Sequence, residues 1–326
     1  MDTRIGVFCG SPIPRQKGSY KMKLATVNFL KFMLCAVLYG AVYMLVMIFM
    51  PFSQAFTEIS QQIAETQTIA STLLMLLPII WNCSIAYFII RHASVGGKKL
   101  SIRLVCVMFF VVYFVPQALG AESADVHGMP WYDFMLITIP GLVSLLATIP
   151  LMVRFFQNKN IVEAAHEREK RNFKDTAVKI GLGGLIVAGV YIIFLFAVQR
   201  HFEEYRMFYA DTAWMQAVHG ENIVGIFYPL FSIPFLRGVI NGLLVLPLLT
   251  IITKRKFEFT IAICLFMLAP GITLVAPNPL LPDTVRLLLM ASMIITMLLL
   301  GLFIGNVMWG KRGLNEHETE TKIRSQ

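Results

Sequence analysis

Residues 285–309 read VRLLLMASMIITMLLLGLFIGNVMW, and after Arg286 no ionisable side chain appears before Lys311. About 20 such residues let an α-helix cross the hydrocarbon of a bilayer, where the backbone must satisfy its own hydrogen bonds. Seven similar stretches precede this one, at approximately 28–50, 68–90, 102–120, 134–153, 178–198, 224–253 and 259–276. The sequence therefore predicts an all-α fold, a polytopic transmembrane helical bundle of about eight spans. The sixth stretch exceeds the thickness of a bilayer and predicts a tilt, a kink or a break.

Composition points the same way. The 326-residue chain is 57% hydrophobic and 14% charged, where ordinary soluble domains carry about 25% charged residues. The net charge of +9 does not imply nucleic acid. A nucleic-acid footprint is one contiguous basic face, and here the positive charges sit in the segments between apolar stretches. One set of segments holds the residues before 28, the turn with Arg91, Lys98 and Lys99, the loop from Arg154 to Lys174, Lys254–Lys256, and the tail from Lys311. The opposite set holds Arg200, Arg206 and Arg286 beside ten carboxylates from Glu58 to Asp283. Lys and Arg concentrate on the cytoplasmic side of membrane proteins, so both ends are expected inside, in a bacterial inner membrane. Trp131, Tyr132 and Trp309 stand at span boundaries, as interfacial aromatics do.

The chain divides into a cytoplasmic segment (1–27), a first four-span half (28–153), a charged cytoplasmic loop (154–177), a second four-span half (178–309) and a cytoplasmic tail (310–326). Residues 1–24 lack the apolar run of a cleaved signal, and Met22 is an alternative start. The five cysteines, Cys9, Cys35, Cys83, Cys106 and Cys264, form no C-x-x-C pair. They read as small buried groups rather than a disulfide framework or zinc site.

The halves share a faint rhyme. Ala41-Val42-Tyr43 resembles Gly189-Val190-Tyr191, an offset of 148, Pro78 pairs with Pro234 at 156, and Pro116 with Pro270 at 154. An even number of spans per half would make the repeat parallel. Similar apolar composition alone can also produce such echoes.

Arg237 is the most informative residue. It lies deep in the sixth stretch, where an arginine costs roughly 2.5–3.5 kcal/mol on insertion scales. It must face the bundle, a wet cavity, carbonyls or an anion. Around it the chain reads YPLFSIPFLRG (Tyr228–Gly238), followed by Asn241-Gly242 and Pro247. Prolines remove backbone donors, so the helix is expected to break at Pro229 and Pro234. Arg237, Gly238 and Asn241, with Asn82 aligned to Gly238 by the repeat, form the expected substrate-binding set. A kinked helix with its arginine tied to carbonyls is the structural alternative.

Other patterns are weaker. Met44, Met47 and Met50 have the spacing of a thioether ladder, but packing explains them in a chain with 18 methionines. His201, Glu204, Asp211, His219 and Glu221 match no recognised metal site. Phe202, Tyr205, Phe208, Tyr209 and Trp214 suggest a short amphipathic helix on the bilayer, or a lid. Glu163-x-x-His166 sits in a solvated run of alternating charge. Gly301-x-x-x-Gly305, and Gly184 with Ala188, mark close helix contacts.

No nucleotide-binding, metalloprotease or hydrolase motif occurs. No catalytic residue, metal or cofactor is expected, and an enzyme is disfavoured. The reading best supported is a transporter or flippase-like permease for a small or amphiphilic anion. The alternative is a non-catalytic membrane subunit or partner-binding protein, and a third reading is an intramembrane lipid-modifying enzyme. Expected partners are the lipid bilayer, a small anion or lipid head group, and a membrane protein or second copy of the chain.

Overall fold

The computed structural model describes residues 16–66, 68–120, 130–157, 173–209, 231–252, 256–275 and 281–309. Every regular element among them is helical: α1 (Gln16–Ile48), α2 (Gln54–Thr66), α3 (Ile69–His92), α4 (Gly97–Met108), a π-helical segment (Phe109–Phe114) and α5 (Val115–Gly120). There follow α6 (Trp131–Leu136), α7 (Thr138–Phe156), α8 (Phe173–His201), α9 (Glu203–Tyr209), α10 (Ile233–Leu244), α11 (Leu248–Ile251), α12 (Lys256–Thr273) and α13 (Asp283–Val307). They supply 8 segments long and apolar enough to cross a membrane: Ala25–Ile48, Leu73–His92, Gly97–Ala118, Trp131–Phe156, Lys174–Val198, Ile233–Ile251, Lys256–Thr273 and Asp283–Val307. These are the first to eighth spans below. They coincide with the eight apolar stretches to within one or two helical turns, except that residues 224–230 of the sixth lie outside the described residues.

Loop contacts sort the span ends into two groups. At the basic end, Ser94 donates its amide N–H and its hydroxyl to the Ile251 carbonyl at 2.7 and 2.8 Å. There too the Gly97 amide donates to Gln157 (2.9 Å) and Arg103 donates to the Thr250 hydroxyl (3.0 Å). At the acidic end, the buried Asp133 carboxylate accepts the Ser53 amide N–H and hydroxyl. Ser53 in turn caps α2 by accepting from the Phe56 amide at 3.2 Å. Arg286 closes the seventh span by donating to the Leu274 and Val275 carbonyls at 2.9 and 2.8 Å, and it pairs with Asp283 at 2.8 Å. Successive spans therefore run up and down through the bundle.

The first span packs on the second and fourth, and the fourth also packs on the second and third. In the other half the fifth span packs on the sixth and eighth, and the eighth also packs on the sixth and seventh. The halves meet where the second span touches the seventh, and the third touches the sixth and seventh. One apolar core runs through both, from Cys35 to Trp309. Phe29, Ile48, Ile193 and Ile295 point outward and exposed, the arrangement lipid favours, since tails are as apolar as the side chains.

Gly301 and Gly305 set the seventh–eighth contact. A Cβ at Gly301 would lie 3.1 Å from the Cys264 Cα, and one at Gly305 would lie 2.9 Å from the Thr260 Cα. The small-residue motif is thus used inside the chain. Pro78, Pro150 and Pro270 lie inside helices without ending them.

Among the described residues, the sixth span is interrupted at Val245–Pro247. There Leu246 donates to the Leu243 carbonyl and Leu248 to the Val245 carbonyl, three-residue steps in place of four. Pro247, which has no N–H, explains the step. Pro234 lies near the start of α10, and α10 continues unbroken past it to Leu244. Pro229 lies outside the described residues.

Candidate functional site

Asn82 lies midway along the second span and is 3% exposed. An amide at that depth has no water to bond. Its Nδ2 donates to the Tyr113 hydroxyl at 3.1 Å and to the Tyr39 hydroxyl at 3.5 Å. The triad thereby joins the first three spans. Tyr113 belongs to the π-helical segment, whose widened ladder ends with the Val115 amide donating five residues back to the Phe110 carbonyl. π-bulges recur at functional sites. The Tyr113 ring lies over Gly141 of the fourth span, where any Cβ would come within 2.5 Å of it.

One turn beyond Gly141 on the same face is Ser144, and one turn further Thr148. Both are fully buried, and among the described residues neither hydroxyl has a hydrogen-bond partner. All four spans of the first half therefore contribute a buried or half-buried polar side chain near the middle of the span.

The second half carries a sparser set. Asn241 is 4% exposed; its Nδ2 contacts the Met297 sulfur at 3.8 Å, and its Oδ1 has no partner among the described residues. Thr296, next to Met297, is equally buried and equally unpartnered. Arg237 is half-buried one turn from Asn241, and the four-residue spacing sets both on one flank of α10. Gly238 faces elsewhere: a Cβ there would stand 2.8 Å from the Gly184 Cα and 2.9 Å from Val187.

The expected set is thus divided. Arg237 and Asn241 share a flank, Gly238 packs against the fifth span, and Asn82 lies with the tyrosines of the other half. Sequence reasoning missed Tyr39, Tyr113, Ser144, Thr148 and Thr296. A mid-span asparagine demands partners, and a search for hydroxyl-bearing residues at the same depth would have found them.

Among the described residues no cluster of three or more metal-ligating side chains occurs. Met44 faces outward, 57% exposed. Tyr205 of α9 is buried against Val198 and Val285, so this short helix docks on the bundle. Trp214, Asp211, His219, Glu221, Glu163 and His166 lie outside the described residues. No family model, curated protein or solved structure matches this chain.

Proposed function

We propose that this integral membrane protein is a permease, moving a small or amphiphilic anion between two four-span halves of like design. The carrying observation is Arg237: an always-charged group in the apolar helix of the sixth span, the helix that meets the third span across the boundary between halves. Intramembrane charges are rare, expensive and tied to substrate pathways. One turn on, the Asn241 amide is buried and its Nδ2 donor meets only the soft Met297 sulfur among the described residues.

The proposed parallel repeat has independent support. The pairings of the first four spans recur, one for one, among the fifth to eighth, and the second–seventh contact has its counterpart in the sixth–third. With the offsets of 148 and 156 read from Tyr43 and Pro78, the contacting pair Tyr39–Asn82 maps onto Val187–Gly238. Pro130 and Pro282, 152 positions apart, both precede helices with an extended backbone. On that offset the buried positions Ser144, Leu145, Thr148 and Ile149 fall on Thr296, Met297, Leu300 and Gly301, all buried.

The same register pairs Arg237 with Trp81, whose indole N–H donates across the boundary to the Leu265 carbonyl at 3.3 Å. The repeat would thus turn Arg237 toward the third span. Parallel repeats with a substrate site near mid-depth at their interface are a transporter architecture.

Purified protein in vesicles provides the test, with dithionite quenching of a fluorescent phosphatidylglycerol and efflux of chloride and acetate as probes. Arg237→Gln is expected to abolish movement of the transported probe at unchanged protein yield. Arg237→Lys should retain part of it, because a point charge lacks the planar fork of donors. Full activity of the Gln variant would remove the anion reading, and loss of the folded protein would make Arg237 a structural tie. If the wild type moves none of the probes, the partner-binding alternative gains.

We further propose that the basic end faces the cytoplasm of a bacterial inner membrane. Reporter fusions at Asn160 and Thr319 should read as internal, and those at Ser123 and Met215 as external. An external signal at residue 160 would overturn this orientation.

A further inference from the structure

We infer that α11, the last turn of the sixth span, is a gate closing the boundary between the halves at the basic end; the inference rests on the permease reading. Three observations meet there. First, Val245–Pro247 interrupts the helix just before α11, and because Pro247 cannot donate, this turn lacks the continuous ladder that stiffens a span.

Second, the segment beyond that turn is a plug. Leu248, Ile251 and Ile252 are completely buried, although they stand at the end of a span, where side chains normally emerge toward water. Third, the segment is held by hydrogen bonds to the other half. The Ile251 carbonyl accepts both Ser94 donors, and Thr250 accepts from Arg103. Ile251 is the last residue of its helix, so its carbonyl has no intrahelical donor, and Ser94 supplies what water would supply if the end swung free.

On the proposed repeat Ser94 and Thr250, 156 residues apart like Pro78 and Pro234, are equivalent positions, and Ser94 bonds to the residue next to Thr250. Under a two-fold repeat, equivalent positions that meet across the halves lie beside the axis. A conducting path along that axis would pass this point. Releasing the latch exchanges neutral and charge-assisted hydrogen bonds for bonds to water, a small net cost, so the gate is poised rather than locked.

Thiol accessibility tests the gate without knowledge of the substrate. With the five native cysteines replaced, Val111→Cys in the π-helical segment reports on the boundary. A membrane-impermeant cationic methanethiosulfonate is applied to sealed vesicles from the basic-end side. Labelling is expected to be slow with the latch intact. It should rise by about tenfold when Ser94→Ala and Thr250→Val remove two of its hydrogen bonds, with no rise from the opposite side.

Adding Pro247→Ala, which restores a ladder donor, should return labelling toward the slow rate; a merely unfolded variant would stay fast from both sides. Latch variants that leave the rate unchanged, or fast labelling with the latch intact, would overturn the gate. Vesicles in which accessibility switches but no probe anion moves would retain the gate and count against the permease reading.

Discussion

The two halves hold their helices together by different means. At the centre of the first, Tyr39, Asn82 and Tyr113 bond three spans to one another. In the second, backbones approach instead: Gly238 on Gly184, Gly301 on Cys264, Gly305 on Thr260. In lipid no hydrophobic force pulls helices together, so association relies on interhelical hydrogen bonds or on close packing of small residues. The first half uses both, with Gly141 under the Tyr113 ring, and the second relies on close packing. A close-packed seam tolerates almost no added volume, whereas a bonded seam can lose one contact and relax.

That contrast can be broken where two helix backbones come closest. Gly238→Ala sets a Cβ against the Gly184 backbone, which has no rotamer to yield, and should destabilise the protein by about 3 kcal/mol. Thermal unfolding in detergent measures it; a loss below that of the Asn82 variant would reverse the comparison. Asn82→Leu leaves two phenols without their shared amide and should cost about 1 kcal/mol, in line with the modest worth of interhelical hydrogen bonds in bilayers. A double-mutant cycle with Tyr113→Phe should return a coupling near 0.6 kcal/mol. Gly189 provides the smallest effect: a Cβ there meets nothing within 4 Å. Gly189→Ala should stabilise by about 0.5 kcal/mol through reduced backbone entropy of the unfolded chain, and a loss would mean that this face is already occupied.

The spans themselves were legible because bilayer thickness imposes one length on every crossing, and Arg286–Trp309 shows it in letters alone. What faces what was not. Hydropathy treats Tyr39 and Tyr113 as further apolar residues, so the triad stayed hidden although Asn82 was visible. The π-helical segment has no compositional mark; FFVVYF could continue an α-helix. Prolines were read by count rather than by place. The helix runs on past Pro234 to Leu244, while Pro247, with four ladder residues still to come, interrupts the span. The Ser53–Asp133 and Arg103–Thr250 bonds join residues 80 and 147 positions apart, beyond any local pattern.

The Ser53–Asp133 bond carries a consequence for biosynthesis. Ser53 caps α2 and fixes its entry, but the carboxylate that holds Ser53 is made 80 residues later. At roughly 5–20 residues per second, the ribosome needs about 4–16 s to supply it. During that interval two membrane crossings must pass before the acceptor arrives with the fourth. The helix after the first crossing therefore settles late, and its docking is a timestamp for completion of the first half.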